Sequence, residues 1–347
     1  MRTLLLCLFL SGYCGFAAAQ SSAAVQLVLD TSEAEQALRI LHKQAAHEQV
    51  TAEDWQRLFT TVPYQRLKAR ETSMGRSFNE EEFKSFLLSP ESLARQQDWE
   101  QTVAAMKQAD MTALGAGVLA WLPEGATIHA QVFPEIKPAH NSFVWTKEGE
   151  GPAIFLYVER QSKAKFENTV AHECHHIGLD SLAKQQEALQ AGLPENVRIA
   201  VRWMGGFGEG EAMLAAAGSV DRHPHWEDDA LARVRWDGDL MHFNADVAAL
   251  QQFFTEILDG RLKGPEAIRE RATPFWGDAQ GAWYTVGYEM AALVERAYGR
   301  QALNQCLLDP KKLLVMYNQV ALEANAKGAT LASWSPDFLA RLNAKSG

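Results

Sequence analysis

Thr169-Val-Ala-His-Glu-Cys-His-His-Ile177 is the stretch on which the fold turns. Within it, His172, Glu173 and His176 have the spacing His-Glu-x-x-His. Residues four apart on an α-helix share one face, one turn above each other. Both imidazoles can therefore reach a single Zn²⁺, with Glu173 beside the open coordination position as a general base. The flanks read as helix. Val170, Cys174 and Ile177 recur at i, i+4 and i+7 and form a candidate buried face. No proline interrupts residues 162–179, and Gly178 stands where a C-cap would sit. The strand-like run Ala153-Ile-Phe-Leu-Tyr-Val158 comes just before. This context separates the motif from a surface helix that carries three histidines by coincidence.

Outward from the motif, residues 30–120 read as helical. Ser32-x-x-Glu35, Thr51-x-x-Asp54 and Asn79-x-x-Glu82 are capping-type starts, and Ser89-Pro90 places proline at the first helical position. Between them Leu38 and Leu41, then Trp55, Leu58 and Phe59, recur at helical spacing. Thr127-Ile-His-Ala-Gln-Val-Phe133 and Asn141-Ser-Phe-Val-Trp145 then read as short strands, with Pro134 and Pro138 between them. Helices resume from Ser162 to the end. The expected class is α+β and mostly helical, divided as residues 1–19, 20–122 and 123–347.

Residues 1–19 read as a secretory signal. Arg2 is the positive end, residues 4–10 the apolar core, and Ala17-Ala18-Ala19 the cleavage site before Gln20. Its apolar run is too short to span a membrane, so export to the periplasm or exterior is expected, without stable membrane insertion after cleavage. A net charge of −10 argues against nucleic acid and anionic lipid as partners. Cys174 and Cys306 remain after the signal. They read as buried free thiols ahead of a disulfide.

A catalytic zinc takes three protein ligands and leaves one position open. A glutamate on a later helix is the natural third ligand. Glu209, in Gly205-Gly-Phe-Gly-Glu-Gly-Glu-Ala212, is the leading candidate, because its small neighbours, with Ala216, would let that helix approach the zinc helix closely. Glu195, after Pro194, competes with it, and Glu211 is the fallback. An oxyanion donor is also needed. The order of candidates is Tyr284, Tyr288, then His223 and His225 in Asp221-Arg-His-Pro-His-Trp226. His175 points away from the 172/176 face, towards solvent or a supporting role. Asp180, Glu211 and Asp221 are unranked candidates to orient the ligand imidazoles.

His172, Glu173 and His176, followed by Glu209-Gly-x-Ala212, resemble the gluzincin-type zinc metallopeptidases, and in particular a family of zinc-dependent peptidases secreted by bacteria. The likeness covers most of the chain after the signal. Tyr284-Thr-Val-Gly287 is similar to the Tyr-x-x-Gly element of aminopeptidase-type gluzincins, in which the tyrosine stabilises the oxyanion. Glu195 has the aminopeptidase-like distance from His176. A metzincin would need Gly at 179 and His at 182, where Leu179 and Leu182 stand. Met213 occupies the place of the aspartate in thermolysin-type Glu-x-x-x-Asp, and the Gly-x-Met-Glu-Asn element of the aminopeptidases is absent. Endopeptidase action is thus at least as well supported as aminopeptidase action. The resemblance implies a zincin-like domain, a Zn²⁺ cofactor and a peptide or protein substrate. It also implies an edge strand that pairs with extended substrate, for which Asn141, Phe143 and Trp145 are the candidates. The alternative is an exported zinc-binding or interaction protein of the same fold without turnover.

Overall fold

The computed structural model describes residues 24–277 and 280–343. The signal-like residues 1–19 lie outside them. A four-stranded sheet holds β1 (Val25–Leu29), β2 (Ile128–Glu135), β3 (Phe143–Lys147) and β4 (Gly151–Tyr157), in the order β1-β2-β4-β3. β1, β2 and β4 run parallel, and β3 is the antiparallel edge. The three strands read from the sequence are present within two residues at each start and end. β1 corrects the expectation of an all-helical start, because Val25 pairs with Ile128 over a hundred positions later.

Helices α1 (Ser32–Ala45), α2 (Ala52–Phe59), α3 (Val62–Ser73), α4 (Glu80–Leu87), α5 (Pro90–Met106) and α6 (Met111–Leu119) follow β1. Thr51 and Asp54 form a reciprocal capping box on α2, and Asn79 and Ser89 cap α4 and α5. The cap of α1 is Thr31 rather than Ser32. Leu38, Leu41, Leu58, Tyr64, Phe83 and Trp99 build the core of this part.

The sheet has two covered faces because successive side chains alternate. Val25, Leu27, Ile128, Ala130, Val132, Ile154 and Leu156 meet α7 (Lys163–Asp180) through Phe166, Val170, Cys174 and Ile177. Phe133, Ala153 and Phe155 face the other way, towards Leu67 of α3. Ser162 caps α7 by accepting from Lys165 N, and the Ser181 hydroxyl ties its far end to Thr127 N. Gly178 lies inside α7 rather than at its cap. A Cβ there would stand 2.2 Å from Leu122 Cδ1.

The C-terminal half is helical: α8 (Ala183–Gln190), α9 (Glu195–Met204), α10 (Gly208–Ala217), α11 (Ala230–Leu240), α12 (Phe243–Leu258), α13 (Pro265–Ala272), α14 (Ala282–Tyr298), α15 (Arg300–Leu307), α16 (Pro310–Asn325) and α17 (Pro336–Leu342). Phe207, Phe253, Phe254, Trp283 and Trp334 pack edge-to-face and tilted at its centre, with Phe207 and Trp283 centroids 5.5 Å apart. Each such pair adds about 0.5–1.5 kcal/mol beyond area burial. This cluster fixes the 3₁₀ turn Gly205–Phe207 that leads into α10.

Candidate metal centre

Three elements converge on one point. α7 presents His172 and His176 one turn apart, α10 presents Glu209 in its first turn, and α14 presents Tyr284 in its first turn. His176 Nε2 lies 3.1 Å from His172 Nε2, and Glu209 Oε2 lies 3.2 Å and 3.3 Å from the two. These three are the one group of His, Cys, Asp or Glu donors among the described residues that could hold a metal ion. Ligands about 2.1 Å from a tetrahedral zinc stand about 3.4 Å from one another. Two imidazole nitrogens and a carboxylate oxygen at these separations fit that ion in chemistry and in spacing.

The electrostatics agree. Burial pushes the Glu209 carboxyl up, yet hydrogen bonds to His172 and His176 more than offset this and hold it well below the usual range. Burial pulls His176 down, and Glu209 outweighs it, so His176 is raised. Glu209 also lies at the positive end of α10, where a carboxylate is favoured.

Tyr284 stacks towards His172, with ring centroids 6.4 Å apart. Burial, then the nearby charge of Glu209 and a hydrogen bond with it, raise its hydroxyl, and Glu173 adds to this. The phenol therefore stays a protonated donor at neutral pH, facing both carboxylates.

The other candidates lie elsewhere. Glu195 is exposed and pairs with Arg198 at the start of α9. Tyr288 packs edge-on against Trp236 in the core, and burial pushes its hydroxyl up to about 12. His223 pairs with Asp237, while His225 is held between Asp228 and Gln280. His175 corrects the solvent-facing option. It is 1% exposed, it bonds to the backbone of Trp121, and burial pulls it down to about 3, so it stays neutral. Asp180, Glu211 and Asp221 make no hydrogen bond to either ligand imidazole. His172 Nδ1 is buried without a described partner. Burial brings Glu211 up to about 7 as it faces a pocket shared with Cys306. Cys174 and Cys306 are free and buried.

α10 packs closely on α7, as its small residues lead one to expect, with Ala216 against the α7 side of the core. Gly210 faces α14 and not the zinc helix, since a Cβ there would meet Tyr288 N at 2.0 Å and Tyr284 O at 2.3 Å. Gly287 answers it against Phe207 O at 2.4 Å. This crossing is what sets Tyr284 beside Glu209. Of the strand candidates, Phe143 and Trp145 point to the sheet face away from α7, where Arg70 and Arg66 stack on them. The Asn141 side chain accepts from Lys137 Nζ. Of the proposed contacts on this strand, the backbone edge of β3 is the one that faces outward from the sheet. Trp276, edge-on to Tyr284, and Gln280, which reaches Met213, were not read from the sequence. Trp276 ends a short 3₁₀ turn and Gln280 lies in the turn before α14, both too short for a periodicity to mark a position.

A family model described as "Putative zinc dependent peptidase" matches residues 55–326. The chain belongs to this family. The matched span contains β2 to β4, α7, α10 and α14, and with them His172, Glu173, His176, Glu209 and Tyr284. The family description and the donor set agree on the metal: zinc is the cofactor, and His172, His176 and Glu209 could hold it. No curated protein and no solved structure matches the chain.

Proposed function

We propose that the protein is a gluzincin-type peptidase, exported through residues 1–19, in which Glu173 is the general base and Tyr284 the oxyanion donor. The observation that carries this is the meeting of two imidazoles, one carboxylate and one protonated phenol at a single partly exposed point. His172 Nε2, His176 Nε2 and Glu209 Oε2 would hold the ion. When bound there, zinc supplies a Lewis acid that polarises a peptide carbonyl and acidifies water.

The chain's own groups do the rest. Glu173, on the flank of α7 next to the ligand face, takes the proton of the attacking water and returns it to the leaving amine. The Tyr284 hydroxyl donates to the oxygen on which negative charge develops, an interaction worth about 3 kcal/mol. The β3 edge pairs its backbone with extended substrate and aligns the scissile bond. The Gly-x-Met-Glu-Asn element that holds a free substrate amine in the aminopeptidases is absent from the sequence, so endopeptidase action is at least as well supported as aminopeptidase action.

Zinc-loaded protein should cleave peptides in a chelator-sensitive way. Glu173→Gln should keep about one zinc per chain, by elemental mass spectrometry, while turnover falls about a thousandfold. A Glu173→Gln protein that retains full turnover would remove the base assignment. A zinc-loaded wild type that cleaves no peptide library would leave a zinc-binding protein without turnover.

A further inference from the structure

Zinc, base and oxyanion donor account for bond cleavage but not for choice of substrate. A groove of about 540 Å³ lies along the C-terminal end of α7, beyond His176. One wall is Ile177 and Asp180 of α7, and the other is Val144 and Thr146 of β3, with Pro152 of β4 adjoining. Glu173, Ile177 and Asp180 fall at i, i+4 and i+7, so they form one stripe along α7. The groove therefore continues the flank that carries the proposed base, and Asp180 sits one turn, about 5.4 Å along the axis, beyond His176. Its carboxylate acts electrostatically on His176.

Val144 packs with the α7 side of the sheet, opposite to Phe143 and Trp145. A peptide added to the β3 edge would turn alternate side chains to that same side and into the groove. What awaits them is specific in kind. Val144, Pro152 and Ile177 offer apolar surface, and exposed Asp180 has no hydrogen bond or ion pair with any described residue. His129, the other ionisable side chain of the lining, has an interaction of its own. A lysine or arginine side chain has the matching form, an aliphatic stem that lies on apolar surface and a cationic head. The volume holds such a side chain with room to spare. The net charge of −10 adds attraction at longer range.

We propose that this groove is a subsite of the cleft that selects a lysine or arginine side chain near the scissile bond, with Asp180 pairing its charge. This rests on the peptidase reading above. The experiment compares zinc-loaded wild type with Asp180→Asn, Asp180→Glu and Asp180→Lys. The peptides differ only by lysine, norleucine or glutamate, placed in turn at each position flanking the cleaved bond. At one position lysine should raise kcat/KM about tenfold over norleucine. Asp180→Asn should bring that ratio close to one, Asp180→Glu should keep most of it, and Asp180→Lys should favour glutamate there. Equal rates at every position, or a lysine preference that survives Asp180→Asn, would overturn the assignment. So would a loss of zinc in Asp180→Asn that lowers both rates alike, since Asp180 would then serve His176 instead. If no peptide is cleaved at all, the peptidase reading fails separately. The groove is then judged by fluorescence anisotropy with the same peptides: a lysine advantage lost in Asp180→Asn upholds it, and equal affinities overturn it.

Discussion

At the scale of single residues, the choice between Glu209 and Glu195 rests on surroundings rather than on spacing. Both follow the motif on a later helix, and both lie in a first turn. Glu209 is largely buried between two imidazoles, whereas Glu195 is exposed and pairs with Arg198. Glu209→Ala should therefore weaken zinc binding about a hundredfold or more, since loss of even an outer partner costs roughly 10–100-fold. Glu195→Ala should leave it unchanged. Competition with a chromophoric chelator reads both, and the reverse result would move the third ligand to Glu195. Tyr284→Phe deletes only the donor. It should keep zinc and lower kcat about a hundredfold or more; a fall of less than about threefold would shift the oxyanion role to another group.

At the scale of elements, the α10–α14 crossing decides the geometry of the site. In an open helix, Gly→Ala stabilises by about 1 kcal/mol. Gly210→Ala should do the opposite and cost about 3 kcal/mol, because its Cβ has no room against the backbone of Tyr284 and Tyr288. Gly238 of α11, with nothing within 4 Å of its Cβ position, is the control, and Gly238→Ala should stabilise slightly. Urea denaturation of the two variants gives opposite signs if the crossing is as tight as described. The same elements show what was legible beforehand. The period of Val170, Cys174 and Ile177 marked the buried face of α7, because a helix on a sheet must bury one stripe. The small residues around Glu209 announced the approach to α7 but not the second one to α14, since a missing Cβ carries no address. β1 escaped notice because a five-residue strand beside a signal-like segment has its partner over a hundred residues away. The face of Phe143 and Trp145 depended on strand register, which alternates with each residue.

At the scale of the whole molecule, the N-terminal helices are joined to the sheet through buried ionisable groups as well as apolar surface. Glu33 of α1 accepts from Ile136 N at the end of β2, and Glu135 and Lys137 lie beside it, all nearly fully buried. Burial brings Glu33 up to about 8, and it raises Glu135 as well. A carboxyl whose folded pKa is raised binds more protons folded than unfolded. Its contribution is thus most favourable below about 4.5, declines as pH rises through the window to about 8, and is flat beyond. Glu33→Gln keeps an acceptor for Ile136 N and removes the titration. The variant should match wild type near pH 4 and become more stable by a few kcal/mol near pH 8.5, since each tenfold change in proton affinity is worth about 1.4 kcal/mol. Urea titrations at both pH values measure the difference. Parallel curves would mean that Glu33 is already ionised at neutral pH, with Lys137 neutralising it, and that this seam between helices and sheet is held by an ion pair rather than by a protonated acid.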